Sequence, residues 1–506
     1  MTNLSRQPGE TGDQHDGGLG GMRMAKRPVR RVGVVGMGYV GIPSAVLFAA
    51  SGAFSEVIGL QRDSPSSGYK IAMLNRGENP LKGVEPDLGE LLAKVVAAGT
   101  FRCSPDFSLV SGLDAVTLAI QTPFRNPADL VPDFTPLHEG LASVGEHLSK
   151  GTLVVIESTV TPGTTGGTAR KILEKASGLV AGRDFALAHA PERVMAGRLI
   201  RNIREHDRVV GGIDSASTER AAELYRTVLT KGRILPMTVV AAEVEKTAEN
   251  ALRDLQIAAA NQLALYCEAM GVNFYDVRAG VASLKEEGVT RGILYPGAGV
   301  GGHCLPKDSY HLERGVKELG KKLRNEHKKE LRNELGKELN FQNDISSLFL
   351  LARQINDFMP KHMYRLTLDG LGRAGKEVKN SRVAVLGWAF LQNSDDTRNT
   401  PSEPYRKLLK RDGADVPVHD PYVDQYRNIQ ISHKLKEVVF GADVIAILTP
   451  HKQYRRLVPA KLKVWTGKER PVIVDGRNVV DPDAFIREGF VYKGIGRGDR
   501  NLHPLA

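Results

Sequence analysis

The sequence predicts an α/β protein in which a helical central domain joins two doubly wound parallel-sheet domains. Short apolar runs alternate with amphipathic segments in the first part of the chain, including VGVVG, VIGL, AVTLAIQ, LVVIEST and FALAHA. A helical spacing of apolar residues replaces these runs at about 215–285, and strand-like runs return beyond residue 380 in RVAVLGWAF, VPVHDP, ADVIAILTP and PVIVDGRN. Alternating strands and helices are typical of parallel sheets that helices cover on both faces.

These changes of pattern divide the 506 residues into four segments. The segments are a Gly-, Ser- and Asp-rich tail at 1–28, which we predict to be disordered, a first α/β domain at 29–214, a helical domain at 215–375 and a second α/β domain at 376–506. The helical domain includes an insert at 315–343 that is dense in Lys, Arg and Glu. We interpret this insert as a solvated helix or hairpin, with a binding surface as the alternative.

The net charge of +11 predicts an anionic partner. The sequence shows no repeated basic-aromatic pattern and no zinc-finger spacing, so we expect phosphate on a small ligand rather than nucleic acid. No apolar stretch approaches the roughly 20 residues of a membrane span, and the first residues lack the apolar core of a secretory signal. We therefore expect a cytoplasmic protein without a membrane partner.

A G-x-G-x-x-G motif directly follows the strand-like run RRVGVV and opens the helical segment VGIPSAVLFAASG. In a Rossmann-like domain the first glycine permits a tight turn, the second lets the backbone approach a pyrophosphate, and the third lets helix and strand pack closely. Strand and helix lie where this mechanism needs them, so we predict dinucleotide binding. The candidate cofactor contacts in this turn are Gly36, Met37, Gly38, Tyr39, Val40 and Gly41.

The residues after the second strand-like run leave the choice of dinucleotide open. An NAD site normally carries an acid there that binds the ribose hydroxyls. Gln61 occupies that place, Arg62 could pair with a 2′-phosphate, and Asp63 could substitute for the acid. We favour NAD as the cofactor and keep NADP as the competing prediction because of Gln61 and Arg62.

Cys304 lies in the segment YPGAGVGGHCLPKD, directly after a run of glycines. A thiolate needs positive charge or oriented donors nearby. The glycines let backbone N–H groups approach a reacting centre, Lys307 adds a cation, and Asp308 adds a proton carrier. We therefore predict that Cys304 is a nucleophile.

The other cysteines, Cys103 and Cys267, fit inert buried thiols. All three cysteines are far apart in the sequence, which argues against a disulfide framework or a CxxC metal site. His303 has no second cluster of candidate ligands in the sequence, so we predict no metal.

A dinucleotide site combined with a nucleophilic cysteine predicts an oxidation by four electrons. Hydride transfer from an alcohol gives an aldehyde, and thiolate addition gives a thiohemiacetal. A second hydride transfer gives a thioester, from which water releases a carboxylate. The alternatives from other classes are a two-electron hydroxyacid dehydrogenase and a non-catalytic nucleotide sensor.

Seven ordered motifs extend over nearly the whole chain. They are GxGxxG, ESTVTPGTT at 157–165, PERVMAG at 191–197, AEVEKTAEN at 242–250, GVGGHCLPKD at 299–308, DDTRNTPS at 395–402 and DGRN at 475–478. In these motifs the chain resembles the UDP-glucose/GDP-mannose dehydrogenase family. The resemblance implies an N-terminal NAD domain, a helical linker that commonly carries the dimer contact, and a C-terminal Rossmann-like domain that helps to bind a UDP-sugar. The implied assembly is a homodimer or a higher homo-oligomer.

The same resemblance assigns catalytic roles. Cys304 is the implied nucleophile, and Asp308 assists the acid-base steps and thioester hydrolysis. Glu192 and Thr159 match a carboxylate and a hydroxyl that arrange the catalytic water. Further candidate cofactor contacts are Thr122, Thr159 and Lys307.

Lys246 and Asn250 occupy the family's K-x-x-x-N pattern. Their separation of four residues places both side chains on one face of a helix. Lys246 would then stabilise alkoxide or oxyanion charge, as electrostatic catalysis requires.

PERVMAG resembles the N-acetylhexosamine branch of the family, in particular its UDP-N-acetylmannosamine dehydrogenases, whereas the UDP-glucose branch usually has PEFLAEG. Arg193 replaces an aromatic residue there and could donate hydrogen bonds to an acetamido carbonyl. The implied reaction converts UDP-N-acetyl-D-mannosamine to its uronic acid, and UDP-N-acetylglucosamine and UDP-glucose are the alternative substrates. The candidate substrate contacts are Glu192, Arg193, Val194, Lys246, Asn250, Arg253, Arg291, Gly301, Arg398 and Arg477.

Overall fold

The computed structural model describes residues 28–498, apart from residues 66, 82, 84, 127–130, 285–291 and 327–346. The predicted tail at 1–28 therefore lies outside the described residues except for residue 28. Most of the charged insert predicted at 315–343 also lies outside them. Within the described residues, no helix is both long enough and apolar enough to cross a membrane.

Ten strands belong to the first part of the chain. They are β1 (Arg31–Val35), β2 (Glu56–Leu60), β3 (Phe101–Ser104), β4 (Ala115–Leu118), β5 (Phe124–Asn126), β6 (Val131–Pro132), β7 (Leu153–Ile156), β8 (Ala186–His189), β9 (Arg208–Gly212) and β10 (Ile234–Thr238). Eight of them form one sheet in the order β10-β9-β8-β7-β4-β1-β2-β3, and β5 pairs with β6 in a separate hairpin. All pairs in the large sheet are parallel except β8 with β9.

Seven helices accompany this sheet. They are α1 (Gly41–Ala50), α2 (Tyr69–Asn75), α3 (Leu88–Ala97), α4 (Thr135–Glu146), α5 (Arg170–Ser177), α6 (Leu199–Glu205) and α7 (Ser215–Arg226). Strands β1, β4, β7 and β8 are almost entirely buried, because apolar clusters lie on both faces of the sheet. The predicted first α/β unit is confirmed, and its continuous apolar runs are the strands buried on both faces.

The prediction that 215–285 contains helices alone is wrong at β10. This strand pairs in parallel with β9, so the first sheet extends beyond the predicted boundary at residue 214. Strand β10 is the edge of the sheet, and none of its five residues is fully buried. It also contains Pro236, which an edge strand tolerates because one side of its backbone has no partner strand. An edge strand therefore lacks the apolar run by which the buried strands were predicted.

The described part of the central domain contains three long helices and one shorter helix. They are α8 (Val239–Ala269), α9 (Phe274–Ala282), α10 (Leu305–Glu326) and α11 (Leu348–Arg373). Buried polar side chains join α8 to α11: Arg353 donates to Asp254 at 2.6 Å, and Asn261 donates to Asn356 at 2.8 Å. These contacts fix how α8 and α11 align, because a buried polar group left unpaired is costly.

The last part of the chain forms a second α/β unit, as predicted. Its strands are β11 (Val383–Leu386), β12 (Val418–His419), β13 (Gln425–Tyr426), β14 (Ile429–Gln430), β15 (Val444–Ile447), β16 (Val472–Asp475) and β17 (Val491–Gly494). Its helices are α12 (Ser402–Arg411), α13 (Leu435–Val439), α14 (Pro459–Thr466) and α15 (Pro482–Arg487). The parallel sheet has the order β12-β11-β15-β16-β17, and β13 pairs with β14 separately. Helix α11 packs against β16 and β17 of this sheet.

Candidate active site

The glycine motif forms a tight turn between β1 and α1. Gly36 has φ of +95°, and its N–H donates to the carbonyl oxygen of Leu60 at 2.9 Å. A Cβ on Gly41 would lie 1.9 Å from the carbonyl oxygen of Gly36, whereas a Cβ on Gly38 would meet nothing within 4 Å. The outer glycines are therefore required by packing, and the middle one leaves open space above the turn at the start of α1. This arrangement fits the pyrophosphate of a dinucleotide.

The polar residues after β2 are engaged by the protein itself. Gln61 accepts a hydrogen bond from the N–H of Met37 at 2.9 Å and donates one to Ser67 at 2.9 Å, so it supports the turn. Arg62 lies 2.6 Å from the carboxylate of Glu139, and about half of each side chain is exposed (48% and 52%). Asp63 is exposed beside Arg62.

Cys304 immediately precedes the first residue of α10. Its carbonyl oxygen accepts from the N–H groups of Lys307 and Asp308 at 3.0 and 2.9 Å, which begins the helix. Burial and then the carboxylate of Asp308 raise the pKa of the Cys304 thiol, and Lys246, Lys307 and Arg398 oppose that rise. The thiol therefore lies among one carboxylate and three cations at the positive end of a 22-residue helix.

Asp308 is the centre of a buried hydrogen-bond network. Its two carboxylate oxygens accept from Lys307 Nζ at 2.8 Å and from Asn250 Nδ2 at 2.6 Å. Lys307 Nζ also lies 3.3 Å from Thr122 Oγ1, which donates to the carbonyl oxygen of Thr159 at 2.7 Å. The network thus joins α8 and α10 to the loops that follow β4 and β7 of the first sheet.

Lys246 and Asn250 lie four residues apart on α8, as the sequence predicted. Lys246 is buried, at 6% exposure. Its charge opposes the rise in the pKa of Cys304 and contributes to the lowered pKa of His189 at the end of β8. Arg253 is exposed on the same helix.

Glu192 belongs to a buried network that the motifs did not reveal. Its carboxylate accepts from the backbone N–H of Arg193 at 2.8 Å and from the guanidinium of Arg208 on β9. Arg208 also donates to Glu157 Oε1 at 3.0 Å. The signals that could have found these residues were the Glu in ESTVTPGTT, which directly follows β7, and the Arg in DRVVGG, which begins β9.

The predicted substrate contacts of the PERVMAG motif lie in different surroundings. Arg193 donates to the two carboxylate oxygens of Glu249 on α8 at 3.1 and 3.3 Å, so its guanidinium is already paired. Val194 packs against the core of the first domain.

The C-terminal domain contributes Arg398 and Arg477 close to the cysteine segment. Arg398 donates to both carboxylate oxygens of Asp396, and its charge acts on the Cys304 thiol. Arg477 donates to the carbonyl oxygen of Gly299 at 3.0 Å, and burial lowers its pKa to about 10.

Gly301 approaches this domain closely, because a Cβ there would lie 2.5 Å from the Cβ of Phe390. Arg291 lies outside the described residues.

Tyr39 of the glycine turn donates a hydrogen bond to Asp395 of the C-terminal domain. The guanidinium of Arg398 lies 5.5 Å from the centre of the Tyr39 ring. The two α/β domains therefore meet directly at the turn predicted to hold the dinucleotide. The sequence predicted Tyr39 only as a cofactor contact.

Metal binding has no support in the described part of the chain, where no group of three or more His, Cys, Asp or Glu side chains is placed to hold an ion. The charges of Lys307 and Arg398 act on His303. Burial and these cations lower the pKa of His303 to about 2, so its imidazole is neutral.

Comparisons with known proteins agree with this arrangement. Residues 30–229, 240–334 and 384–482 match the NAD binding, central and UDP binding domains of the UDP-glucose/GDP-mannose dehydrogenase family. The UDP-N-acetyl-D-mannosamine dehydrogenase of Pyrococcus horikoshii is 34% identical over 469 residues, which cover 93% of this chain and 100% of that relative.

Two solved structures are similar over almost the whole chain. The NDP-N-acetyl-D-galactosaminuronic acid dehydrogenase of Methanosarcina mazei Go1 is 61% identical with a TM-score of 0.79, and the match covers 94% of this chain and 97% of that chain. The UDP-D-ManNAc dehydrogenase of Pyrococcus horikoshii is 33% identical with a TM-score of 0.78, covering 93% and 100%. The resemblance predicted from the motifs is confirmed: the chain belongs to the UDP-glucose/GDP-mannose dehydrogenase family.

Proposed function

We propose that the protein oxidises the C6 alcohol of UDP-N-acetyl-D-mannosamine to the uronic acid in a four-electron, NAD-dependent reaction. The observation that carries this proposal is the position of Cys304 at the N-terminus of α10, among Asp308, Lys246, Lys307 and Arg398. A two-electron alcohol oxidation needs no thiol in such a place.

Bound NAD would supply the hydride acceptor for each of the two oxidation steps, with the reduced cofactor exchanged for a second NAD between them. The residues that would hold it are the Gly36–Gly41 turn, with its open space at Gly38, and Asp63. Arg62 is paired with Glu139, so its charge is partly satisfied without a 2′-phosphate. This pairing supports NAD over NADP.

The chain's own residues account for the remaining chemistry. Asp308 would take the alcohol proton in the first oxidation and release it to solvent. It would then take the thiol proton and return it to the aldehyde oxygen as the thiohemiacetal forms, and Lys246 would stabilise the oxyanion. The Cys304 sulfur would bond to the C6 aldehyde carbon to give a thiohemiacetal, whose oxidation gives a thioester. Glu192 and Thr159 would arrange the water that releases the carboxylate. Asn250 and Lys307 would hold the Asp308 carboxylate in place through bonds of 2.6 and 2.8 Å.

A second candidate substrate is an NDP-N-acetyl-D-galactosamine derivative. The relative that is 61% identical carries a name of this class, and the match covers 94% of this chain. Arg193 does not separate the two hexosamines, because its guanidinium is paired with Glu249. The alternative substrates named from the sequence, UDP-N-acetylglucosamine and UDP-glucose, belong in the same panel.

We also propose a homodimer or higher homo-oligomer built on the central helices. Leu252 and Tyr266 on α8 and Leu348 and Leu351 on α11 each expose half or more of their surface. Apolar side chains exposed together on long helices support an interface with a second copy. Light scattering coupled to gel filtration would measure the mass, and a monomer at micromolar concentration would contradict this assembly. The cytoplasmic location stays a prediction.

The decisive experiment is a stoichiometry measurement on the full chain. A panel of the three UDP-sugars and the NDP-N-acetyl-D-galactosamine derivative would be incubated with NAD, and reduced nicotinamide and uronic acid would be quantified together. We expect two reduced nicotinamides per sugar consumed, with the highest kcat/KM for UDP-N-acetyl-D-mannosamine. One reduced nicotinamide per sugar would indicate a two-electron dehydrogenase, and none with any sugar would indicate a nucleotide sensor.

A further inference from the structure

Arg208 is a buried cation on β9 that contacts the proposed water-arranging carboxylate. We propose that Arg208 is a positioning residue that fixes Glu192 for the hydrolysis of the thioester. This inference rests on the proposed function, because it concerns the last step of that reaction.

Arg208 is itself held on several sides. It is 4% exposed, and its Nη2 atom donates to Glu157 at 3.0 Å and to the carbonyl oxygen of Ala190 at 2.9 Å. Its guanidinium lies 4.0 Å from the centre of the Tyr225 ring, and the Tyr225 hydroxyl donates to Glu157 at 2.7 Å. These contacts hold the guanidinium in place, and its Nη1 atom binds Glu192.

Glu192 depends on its contact with Arg208 for its orientation. One carboxylate oxygen accepts from the backbone N–H of Arg193 at 2.8 Å, and the other accepts from Arg208. Both oxygens are thus engaged, and the side chain is 5% exposed. A buried carboxylate without a cation tends to bind a proton, and a proton-bearing Glu192 would not accept a proton from water.

The antiparallel pairing of β8 and β9 brings these residues together. His189, at the end of β8, pairs with Gly211 of β9, so the start of β9 passes the segment that follows β8. Arg208 begins β9, and Glu192 follows β8 by three residues. An all-parallel sheet would place the start of β9 at the opposite edge. Strands β9 and β10 run opposite to the other strands of the sheet, so β9 brings Arg208 to the carboxyl end of β8.

The hydrolysis of the thioester is the chemical step that depends on this contact. The water oxygen bonds to the carbonyl carbon of the thioester, the carbon–sulfur bond breaks, and Cys304 leaves as a thiolate. Glu192 receives one proton of the attacking water, and the second proton passes from the carboxylic acid product to solvent, so a carboxylate is released. None of the hydrogen bonds of Arg208 within the described residues reaches Cys304, Lys246 or Asp308. The two oxidation steps are therefore expected to proceed without Arg208.

The test compares variants in a rapid-quench experiment with saturating NAD and UDP-sugar. Reduced nicotinamide is followed by absorbance, and acylated Cys304 is followed by intact mass. We expect Arg208→Met to produce two reduced nicotinamides per subunit in a burst and then to hydrolyse the thioester about 10–100-fold more slowly than wild type. The acylated protein should accumulate. Arg208→Lys keeps a cation of similar length and is expected to recover part of the hydrolysis rate, and it serves as the test if Arg208→Met does not fold.

Two control variants distinguish the loss of Glu192 positioning from a general disruption of the buried core. Glu157→Gln perturbs the same network but keeps the contact between Arg208 and Glu192, and Arg353→Met removes a buried arginine that pairs with Asp254 elsewhere. We expect neither control to accumulate the thioester. Accumulation in Glu157→Gln equal to that in Arg208→Met, or hydrolysis at the wild-type rate in folded Arg208→Met or Arg208→Lys, would overturn the inference.

The wild-type protein and Glu192→Gln test the proposed function independently of Arg208. A wild-type protein that yields one reduced nicotinamide per sugar, with no acylated cysteine even in Glu192→Gln, would refute the four-electron reaction itself. A wild-type protein that yields two, together with normal hydrolysis in the Arg208 variants, would refute only the role of Arg208.

Discussion

The side-chain nitrogen of Asn250 lies 2.6 Å from Oδ2 of Asp308, a bond that ties α8 to α10 beside Cys304. Asp308 is completely buried and accepts its other close bond from Lys307. Whatever proton Asp308 carries during the reaction, its position is set by these two donors on different elements.

Asn250→Ala is expected to lower kcat by about 10–100-fold, because a carboxylate that loses one of its donors is no longer held in one orientation. The free energy of unfolding should fall by about 1–3 kcal/mol, since a buried acceptor is left with one donor fewer. Steady-state kinetics and urea unfolding would measure both. The matched control is Asn356→Ala, which removes a buried amide in the same helical domain and should affect stability more than kcat. Equal kcat values in the two variants would contradict the assignment.

Cys304→Ser is expected to abolish uronic acid formation while NAD still binds. Because burial raises the pKa of the Cys304 thiol, the free protein should hold little thiolate at neutral pH, and alkylation of Cys304 by iodoacetamide should accelerate as the pH rises above 8. Peptide mass spectrometry across a pH series would measure this rate. Cys103 is the internal control, because burial raises its pKa to about 12. Turnover of the Ser variant to the uronic acid would disprove nucleophilic catalysis.

Glu139→Gln is expected to increase the use of NADP relative to NAD by roughly 3–10-fold. The substitution removes the carboxylate that pairs with Arg62 at 2.6 Å, so the guanidinium becomes available to a 2′-phosphate. An exposed ion pair contributes about 1 kcal/mol, which sets the size of the expected change in binding free energy. The ratio of kcat/KM for the two dinucleotides at a fixed sugar concentration is the measurement. Arg62→Ala should leave the NAD reaction almost unchanged. A wild-type preference for NADP would reverse the choice of cofactor.

Tyr39→Phe is expected to loosen the contact between the two α/β domains. The variant loses a hydrogen bond to a charged group, which is worth about 1.5–3 kcal/mol, and Asp395 loses that donor. Small-angle scattering should show a larger radius of gyration, and KM for the UDP-sugar should rise. Tyr364→Phe removes a similar bond to Asp412 between α11 and α12 and should not change the radius. The same radius and KM in Tyr39→Phe and wild type would argue against a closing contact.

Acid is expected to destabilise the protein partly through His189. Burial, then the charges of Arg208 and Lys246, lower the pKa of His189 to about 3. The unfolded chain binds this proton below about pH 6.5 and the folded protein does not, so stability is present above pH 6.5 and is lost as the pH falls toward 3, by at most about 1.4 kcal/mol per pH unit.

His189→Gln should flatten that part of the stability curve, as measured by urea unfolding between pH 4 and 7. The contribution of His433 to stability has the opposite dependence on pH. A bond to Asp424 raises its pKa, so its contribution is present below the unfolded pKa and is lost as the pH rises through the folded one. If His189→Gln kept the wild-type slope, the acid sensitivity would have to arise elsewhere.

The sequence by itself determined the strands that are buried on both faces, because such strands are continuous apolar runs. It also determined the turn at Gly36, since a G-x-G-x-x-G between a strand and a helix has few structural solutions. The adjacency of Cys304, Lys307 and Asp308, and the placement of Lys246 and Asn250 on one helical face, follow from spacing along the chain. The family followed from the order of the motifs.

Only the tertiary structure decided which distant charges meet. The edge strand β10 was not predicted, because its residues are partly exposed and form no apolar run. The antiparallel direction of β9 relative to β8 cannot be predicted from the composition of β9. The sequence does not distinguish Arg208 from the other arginines, whereas the sheet brings it into contact with Glu192. The sequence also does not show that Arg193 pairs with Glu249 of α8. The local pattern of apolar residues indicates which face of a segment is buried. The partner of a buried charge depends instead on which elements pack together, and the local pattern does not contain that information.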